Sequence, residues 1–496
     1  KSPNVLFAIA DDQSYPHAGV YGFSEINTPG FDYVANSGVL FHNAFVAAPQ
    51  CSPSRAAILT GKNIWELEEA GTHGSAFPNK FKVFTEELEN HGYFVGFTGK
   101  PWGPGNWQIS GRKQNPVGTA FNKHVLSQVP TKGIRPNNYI ENFKDFFSKK
   151  EKGAPFMFWF GAHEPHRVYE YGTGVKAGKD IDAVRVPAFL PDTEIVRNDI
   201  LDYLLEIEHF DSHLFQMISF LKEKGELDNT FIVVTADNGM PFPYAKANLQ
   251  EFGTHVPLAI SMPKIVISKK QVHEPVGLID IAPTILELVN LSESIATTGK
   301  SLMPLLTQED HPKHREFVLT GRERHTHARP DNLGYPARAI RTEDFLYVYN
   351  FDPDRWPAGD PVPRNPENDK RNSVAGFKGL YPGYQDVDAS PSKTIVMELE
   401  NSQDNNALFE LAFSKRPQSQ LYDIKSDPYC TIDLSNDVKF ESIKIELHNQ
   451  LMEALKAQGD PRAFGNPIFD SYPRYSSMRN FPGFNKRGTY NEMILK

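Results

Sequence analysis

The 496 residues, 40% hydrophobic, 12% aromatic and 23% charged, describe a folded globular chain with material for a large core, not a disordered, collagen-like or heptad-fibre chain. The 52 Lys and Arg against 61 Asp and Glu leave a formal net charge of −9, which opposes non-specific binding to nucleic acid or to an anionic membrane. Two cysteines, Cys51 and Cys430, are too few for a disulfide framework or a Cys-rich zinc module. No apolar run reaches the roughly 18 residues that a membrane-spanning helix needs. The chain opens Lys1-Ser2-Pro3, with no initiating Met, directly ahead of an apolar stretch, as a trimmed chain would.

In chain order, Asn4–Ala10, Phe94–Thr98, Pro155–Gly161, Thr230–Ala236 and Val256–Ser261 are short and rich in β-branched and aromatic residues, and each is bounded by Gly, Asp, Asn or Pro. They predict buried strands, with helices between them. The clearest helix runs from Glu194 to Lys224, where Ile200, Leu204, Ile207, Leu214, Ile218 and Leu221 share one stripe. Asp211 falls in that stripe and reads as a hydrogen-bonded structural carboxylate, with a ligand role as the alternative. From about Tyr335 the texture changes. Ala337–Asn350 reads as extended, Phe351–Tyr384 as a long irregular stretch rich in Asp, Pro, Gly and Asn, and Leu421–Ile424 as another short strand. The tail from Pro461 reads as a segment wrapped over the core. The expected fold class is therefore α/β. A large mixed, mostly parallel sheet flanked by helices would occupy residues 1–334, and a smaller α+β domain with a short antiparallel sheet residues 335–496.

The first strand ends in Asp11-Asp12 and the strand Thr230–Ala236 in Asp237-Asn238, at the carboxyl edge where doubly wound sheets place their ligands. Either pair alone also suits a helix cap or turn. Converging, they suggest a hard-cation site for Ca²⁺, or less readily Mg²⁺. No thiolate or paired imidazole there favours zinc. The run Cys51-Ser52-Pro53-Ser54-Arg55 places Cys51 just before a helix that Pro53 would start and Gly61 would end. The helix N-terminus and Arg55 would make an electropositive site that lowers the thiol pKa.

This Cys-x-Pro-Ser-Arg run, with Leu59-Thr60-Gly61 after it, resembles the signature of the type I sulfatases of the alkaline phosphatase superfamily. Asn4 to Asp12, Thr28 to Phe31, Gly38 to Phe45, Thr98-Gly99-Lys100, His163 to His166, Asp237 to Gly239, Asp280 to Thr284, Leu421 to Asp423 and Asp427-Pro428 resemble family blocks in the family order. The resemblance implies that a maturation enzyme converts Cys51 to formylglycine. It also implies that Asp11, Asp12, Cys51, Asp237 and Asn238 bind Ca²⁺, that Arg55 holds the formylglycine, and that Lys100 and Lys246 contact sulfate. The stretch Asn238 to Pro243 and the position of Lys246 resemble the heparan N-sulfamidase branch in particular. The aldehyde hydrate would offer one hydroxyl to attack sulfur, with Asp237 as base, and a second to expel sulfate. His163, at the end of a strand, is the expected acid for the departing sugar oxygen, and His166 a weaker second.

Two departures stand out. The family commonly carries Lys-x-His where this chain reads Lys100-Pro101-Trp102, so Trp102 is expected to form a sugar-stacking wall, with proton donation left to His163 or another histidine such as His73. Glu251 to His255 replaces a Gly-Gly-x-Arg pattern. The segment from His311 to Arg341 is locally basic, and its Arg322, Arg324, His325 and His327 are expected to grip further sulfates or carboxylates of an acidic glycan. The expected function is a carbohydrate sulfatase acting on ulvan-like or glycosaminoglycan substrates, secreted or periplasmic as the family resemblance implies. N-sulfoglucosamine hydrolysis is the alternative within the family. A phosphatase or phosphodiesterase of the superfamily, or a catalytically silent glycan-binding relative, stands outside it.

Overall fold

All seven residues of Asn4–Ala10 (β1) are buried, as a strand covered on both faces requires, and the large sheet extends outward from it. The computed structural model describes residues 2–361, 383–404 and 406–475, together with the pairing of two short strands between 361 and 383. The irregular stretch Phe351–Tyr384 and the tail from Pro461 thus lie partly outside the described residues.

The remaining strands of the large sheet are β2 (Val39–Phe45), β3 (Phe94–Gly99), β4 (Thr119–Ala120), β5 (Phe156–Gly161), β6 (Thr230–Ala236), β7 (His255–Ser261), β8 (Lys270–Val272) and β9 (Val276–Gly277). Their order is β4-β3-β5-β1-β6-β7-β2-β8, with β9 also on β2. Only β7 runs against the rest. The five expected strands are present, with ends shifted by at most one residue. The expected helix runs Glu194–Glu223.

Register decides where chemistry can gather. Ala10 pairs with Ala236, Ile9 with Gly161, and Gly99 with Gly161. Strands β3, β5, β1 and β6 therefore finish level, and the residues just beyond them stand along one edge. The crossing at β3 and β5 needs glycine: a Cβ on Gly161 would stand 1.9 Å from the Lys100 carbonyl oxygen. Asp211 accepts the N–H groups of Gly30 and Phe31, each at 2.7 Å, where the helix Pro29–Ser37 begins. It is a structural carboxylate.

The second sheet has the order β10 (Val318–Arg322), β11 (Ala337–Arg341), β12 (Phe345–Asn350), β15 (Ser419–Asp423), all antiparallel. Ser373–Val374 (β13) and Phe377–Lys378 (β14) make a separate two-stranded ribbon. The boundary expected between 334 and 335 falls inside this sheet, because its edge strand β10 precedes it. That strand also donates Gly321 N–H to the Ala47 carbonyl, 2.9 Å away, beside the large sheet.

Much of the basic segment is spent on buried acids, on both faces of the second sheet. Arg338 meets Asp460 through Nε at 2.7 Å and Nη2 at 3.1 Å, and Glu323 at 2.9 Å, with every partner buried. Arg341 joins Glu251 at 2.7 Å, Arg322 and Arg329 share Asp386, and Arg315 and His314 share Asp280. Residues just beyond the helix Glu441–Ala457 complete the Arg338 cluster, with Arg462 on Glu323 and Asp470.

Candidate active site

The level strand ends bring Asp11 and Asp12 beside Asp237 and Asn238. Asp12 N–H donates to Asp237 Oδ1 at 3.1 Å, and Asp12 itself takes φ 74°, a left-handed conformation unusual outside glycine. Cys51 is delivered by the helix Cys51–Thr60, every residue of which is buried. Gln50 precedes that helix in an extended conformation and Gly61 closes it at φ 66°, so Cys51 is its first residue and does not lie ahead of it. Its Sγ lies 3.4 Å from Asp11 Oδ1 and 3.8 Å from Asp12 Oδ1.

Cations close over the carboxylates. Arg55, one turn into the helix, places Nε 2.8 Å from Asp237 Oδ2 and donates Nη1 to the carbonyls of Lys100 at 2.8 Å and Pro101 at 3.0 Å. It thereby ties the helix to two strand ends at once. Lys100 Nζ lies 2.6 Å from both Asp11 oxygens, and Lys246 Nζ 2.6 Å from Asp12 Oδ2 and 3.5 Å from Asp388. Burial alone would push the Asp11 carboxyl up, but Lys100, His166, Arg55 and Lys246 together hold it well below the usual range. Asp237 goes the other way: burial raises it to about 6 despite Arg55. The expected lowering of the Cys51 thiol does not occur. Burial outweighs Lys100 and Lys246, and the thiol is pushed well above its ordinary value.

One ligand atom each from Asp11, Asp12, Cys51 and Asp237 falls within 4.8 Å of all the others. Asn238 completes the set in a telling way. Its Nδ2 donates to Asp12 Oδ1 at 2.8 Å, whereas its buried Oδ1 has no hydrogen-bond partner. A buried carbonyl oxygen left over beside three carboxylates suits a cation with oxygen ligands.

Above this centre lies a cleft of about 490 Å³ whose lining includes Asp11, Cys51, Lys100, Lys246 and four histidines, 73, 163, 166 and 325. Burial drives the His163 pKa down to about 3, and Lys100 and Arg135 contribute to the fall. That is far from the near-neutral imidazole expected of an acid. His166 is the better placed of the pair: Nδ1 lies 2.7 Å from the Arg167 carbonyl oxygen and Nε2 3.8 Å from Asp12 Oδ2. The Nδ1 contact fixes the ring with Nε2 toward the centre.

Trp102 also lines the cleft, yet it is 2% exposed. Its indole N–H donates to the Ser52 carbonyl at 3.1 Å, and its ring meets the Phe77 ring edge-on. It braces the Cys51 helix and offers no open stacking face, which corrects the expectation of a wall. Arg322, Arg324 and His327 do not line the cleft. Arg322 is held by Asp386 and the Pro357 carbonyl, Arg324 by the carbonyls of Tyr472 and Pro473, and His327 is buried. Arg322 is thus spent on a buried acid and Arg324 on backbone carbonyls, away from any ligand in the cleft. His325 does reach the cleft, beside His73, whose Nδ1 lies 3.0 Å from the His325 carbonyl oxygen. Asp386 fixes this turn by accepting Thr326 N–H at 2.9 Å and Thr326 Oγ1–H at 2.7 Å. The loop carrying Asp386 and Asp388 is itself tied by Lys393, whose Nζ donates to the carbonyls of Gly383, Tyr384 and Val387 at 2.6, 3.1 and 3.1 Å.

Sequence reasoning passed over Arg135, Trp107 and Asp388, which also line the cleft. Each sits in a loop with no periodic pattern or motif to mark it.

Comparison with known proteins agrees with this geometry. The family model "Sulfatase" matches residues 3–291, and the model "N-sulphoglucosamine sulphohydrolase, C-terminal" matches residues 243–368. The chain is 27% identical to N-sulphoglucosamine sulphohydrolase of Homo sapiens, covering 92% of this chain and 91% of that one. It is 26% identical to an ulvan-active sulfatase of Formosa agariphila, covering 93% and 81%. A solved structure in complex with its substrate D-glucosamine-2-N,6-O-disulfate shares the fold, with TM-score 0.64, 18% identity, and coverage of 93% of this chain and 99% of that one. Because the first match spans the whole large sheet and more than half of the residues, this chain belongs to the sulfatase family of sulfuric ester hydrolases.

Proposed function

We propose that the protein removes sulfate from an acidic sulfated carbohydrate, with Asp11, Asp12, Asp237 and Asn238 holding Ca²⁺ beside a Cys51 matured to formylglycine. One observation carries the reading: the ends of two neighbouring strands and the first turn of a buried helix converge, and three carboxylates there meet three cationic side chains, with one amide oxygen left over. The cation would offset charge on the sulfate oxygens, and the aldehyde hydrate would supply the attacking hydroxyl.

The chain's own groups do the rest. Arg55 holds the Asp237 carboxylate and the Lys100–Pro101 backbone in place, so the base and one sulfate-binding lysine keep fixed positions relative to Cys51. Asp237, in reach of the Cys51 position, is the base that accepts the proton of the attacking hydroxyl. The Lys100 and Lys246 ammonium groups bind the equatorial oxygens. His166 Nε2 gives the departing oxygen its proton, in preference to the more buried His163.

A second reading, N-sulfoglucosamine hydrolysis, is favoured by the C-terminal family match and the 27% identical relative. It differs only in the atom that leaves, nitrogen for oxygen. The family setting further supports a secreted or periplasmic protein, and no helix among the described residues is long and apolar enough to cross a membrane. The test is sulfate release by protein co-expressed with a formylglycine-generating enzyme, with conversion of Cys51 checked by peptide fragmentation. The panel holds N-sulfoglucosamine, ulvan oligosaccharides and glycosaminoglycan oligosaccharides. Release from one or more glycans is expected, and turnover of aryl sulfates alone would sink the carbohydrate assignment.

A further inference from the structure

The cleft holds one charge that the sulfur chemistry leaves unspent. Arg55, Lys100 and Lys246 are each held by a carboxylate, and Arg167 is fixed on Asp199 through both Nη atoms at 2.7 and 2.8 Å. Arg135 lines the same cleft and is exposed, and among the described residues its guanidinium meets neither a carboxylate nor a hydrogen-bond acceptor.

Its backbone, by contrast, is pinned. Arg135 N–H donates to Glu164 Oε1 at 2.8 Å, the other oxygen of that 1% exposed carboxylate accepts from Tyr139 O–H at 2.7 Å, and the Tyr139 oxygen accepts His163 N–H at 3.0 Å. Two residues earlier the chain is wedged at Gly133, where a Cβ would stand 2.4 Å from Glu206 Oε1 and 2.7 Å from the Val168 carbonyl oxygen. The Arg135 backbone is therefore anchored to the loop that carries both histidines, and its guanidinium is near enough to help lower the His163 pKa. At the Lys246 and His325 side of the cleft stands Asp388, which repels a second anion. A planar, always charged head group carried on a pinned backbone in the cleft wall matches a carboxylate or a second sulfate in bidentate geometry.

We propose that Arg135 is a specificity-determining residue: it binds a second anionic group, a uronate carboxylate or an additional sulfate, on the sugar beside the sulfate being removed. This rests on the carbohydrate sulfatase reading. The test uses a sulfated disaccharide with a uronic acid, its carboxyl-reduced counterpart, and a counterpart whose neighbouring sugar carries a second sulfate in place of the carboxylate. For the parent, kcat/KM should favour one or both anionic compounds over the reduced one. Arg135→Gln should shrink that ratio about 10- to 100-fold, and Arg135→Lys by less. The anionic compound that loses its advantage identifies the group bound.

The same three compounds titrated calorimetrically into Cys51→Ala protein, with and without Arg135→Gln, read the contact without turnover. Ratios unchanged within about 2-fold in both assays overturn the proposal, as does a Cys51→Ala chain that binds the reduced compound as tightly as the anionic ones. Loss of turnover in the parent, with anion-selective binding intact, counts against the sulfatase reading and leaves Arg135 in its role.

Discussion

Two regions of this protein bury charge, and they do so to opposite ends. On one face of the second sheet, just beyond the helix Glu441–Ala457, Arg338, Arg462, Glu323 and Asp460 satisfy one another at 2.7 to 3.2 Å and are all buried. At the strand ends, Asp11, Asp12, Asp237 and Asn238 crowd together with Cys51 beneath an open cleft, and both Asn238 Oδ1 and Arg55 Nη2 remain without hydrogen-bond partners. A closed set of pairs specifies how the segment after the helix Glu441–Ala457 sits on the second sheet. An open set stands ready for a further charged group. Residue type does not distinguish the two, whereas the completeness of pairing does.

The contrast breaks most sharply with Cys51→Ala, which should abolish sulfate release, a loss of at least about 10⁴-fold in kcat, while the thermal unfolding midpoint stays near the parent's. Arg338→Ala should do the reverse. It removes both guanidinium bonds to the buried Asp460, leaving Glu323 to Arg462 alone, and should cost about 3–5 kcal/mol in urea unfolding, with kcat of the folded fraction retained. A large fall in kcat with stability intact would show that this closed cluster serves the reaction directly.

Within the open region, His166→Ala should lower kcat/KM on sugar sulfates by about 10²-fold while sparing activated aryl sulfates, whose leaving groups hardly need a proton. His163→Ala should show a weaker dependence on the leaving group. Equal losses on both substrate types for His166→Ala would remove it from the acid role.

The smallest effect belongs to a closed pair that titrates. Burial pushes Glu251 up, but Arg341 and His255 draw it down to about 2, below its ordinary value of 4.5. A carboxyl depressed by folding contributes stability above its unfolded pKa and loses it as pH falls toward the folded one. Glu251→Gln should therefore cost about 2 kcal/mol at pH 7. The gap between variant and parent should close between about pH 4.5 and pH 2, and a pH-independent gap would count against Glu251 as the group responsible.

Much of the open region was legible in the sequence because each part sits on a strong local signal. Apolar runs ending in Asp11-Asp12 and Asp237-Asn238 foretell strand ends, parallel pairing then brings those ends together, and Pro53 and Gly61 mark the helix that carries Cys51. The closed region was misread for a physical reason. The basic stretch from His311 to Arg341 is conspicuous in one dimension, but its partners Glu251, Asp386 and Asp460 lie far away in sequence, so Arg322, Arg324 and His327 looked available when they are occupied or buried. Arg135 escaped notice for the opposite reason. It stands alone in an irregular loop, and only the fold brings it to the cleft.

The knot of three carbonyls around the Lys393 ammonium has a practical meaning. It sets the loop from which Asp386 steadies Thr326 and Asp388 approaches Lys246, so a stretch encoded late in the gene trims the mouth above sulfur chemistry encoded early. Grafting that late stretch from a relative is a route to retarget the enzyme toward a different sugar while its desulfating core is kept whole.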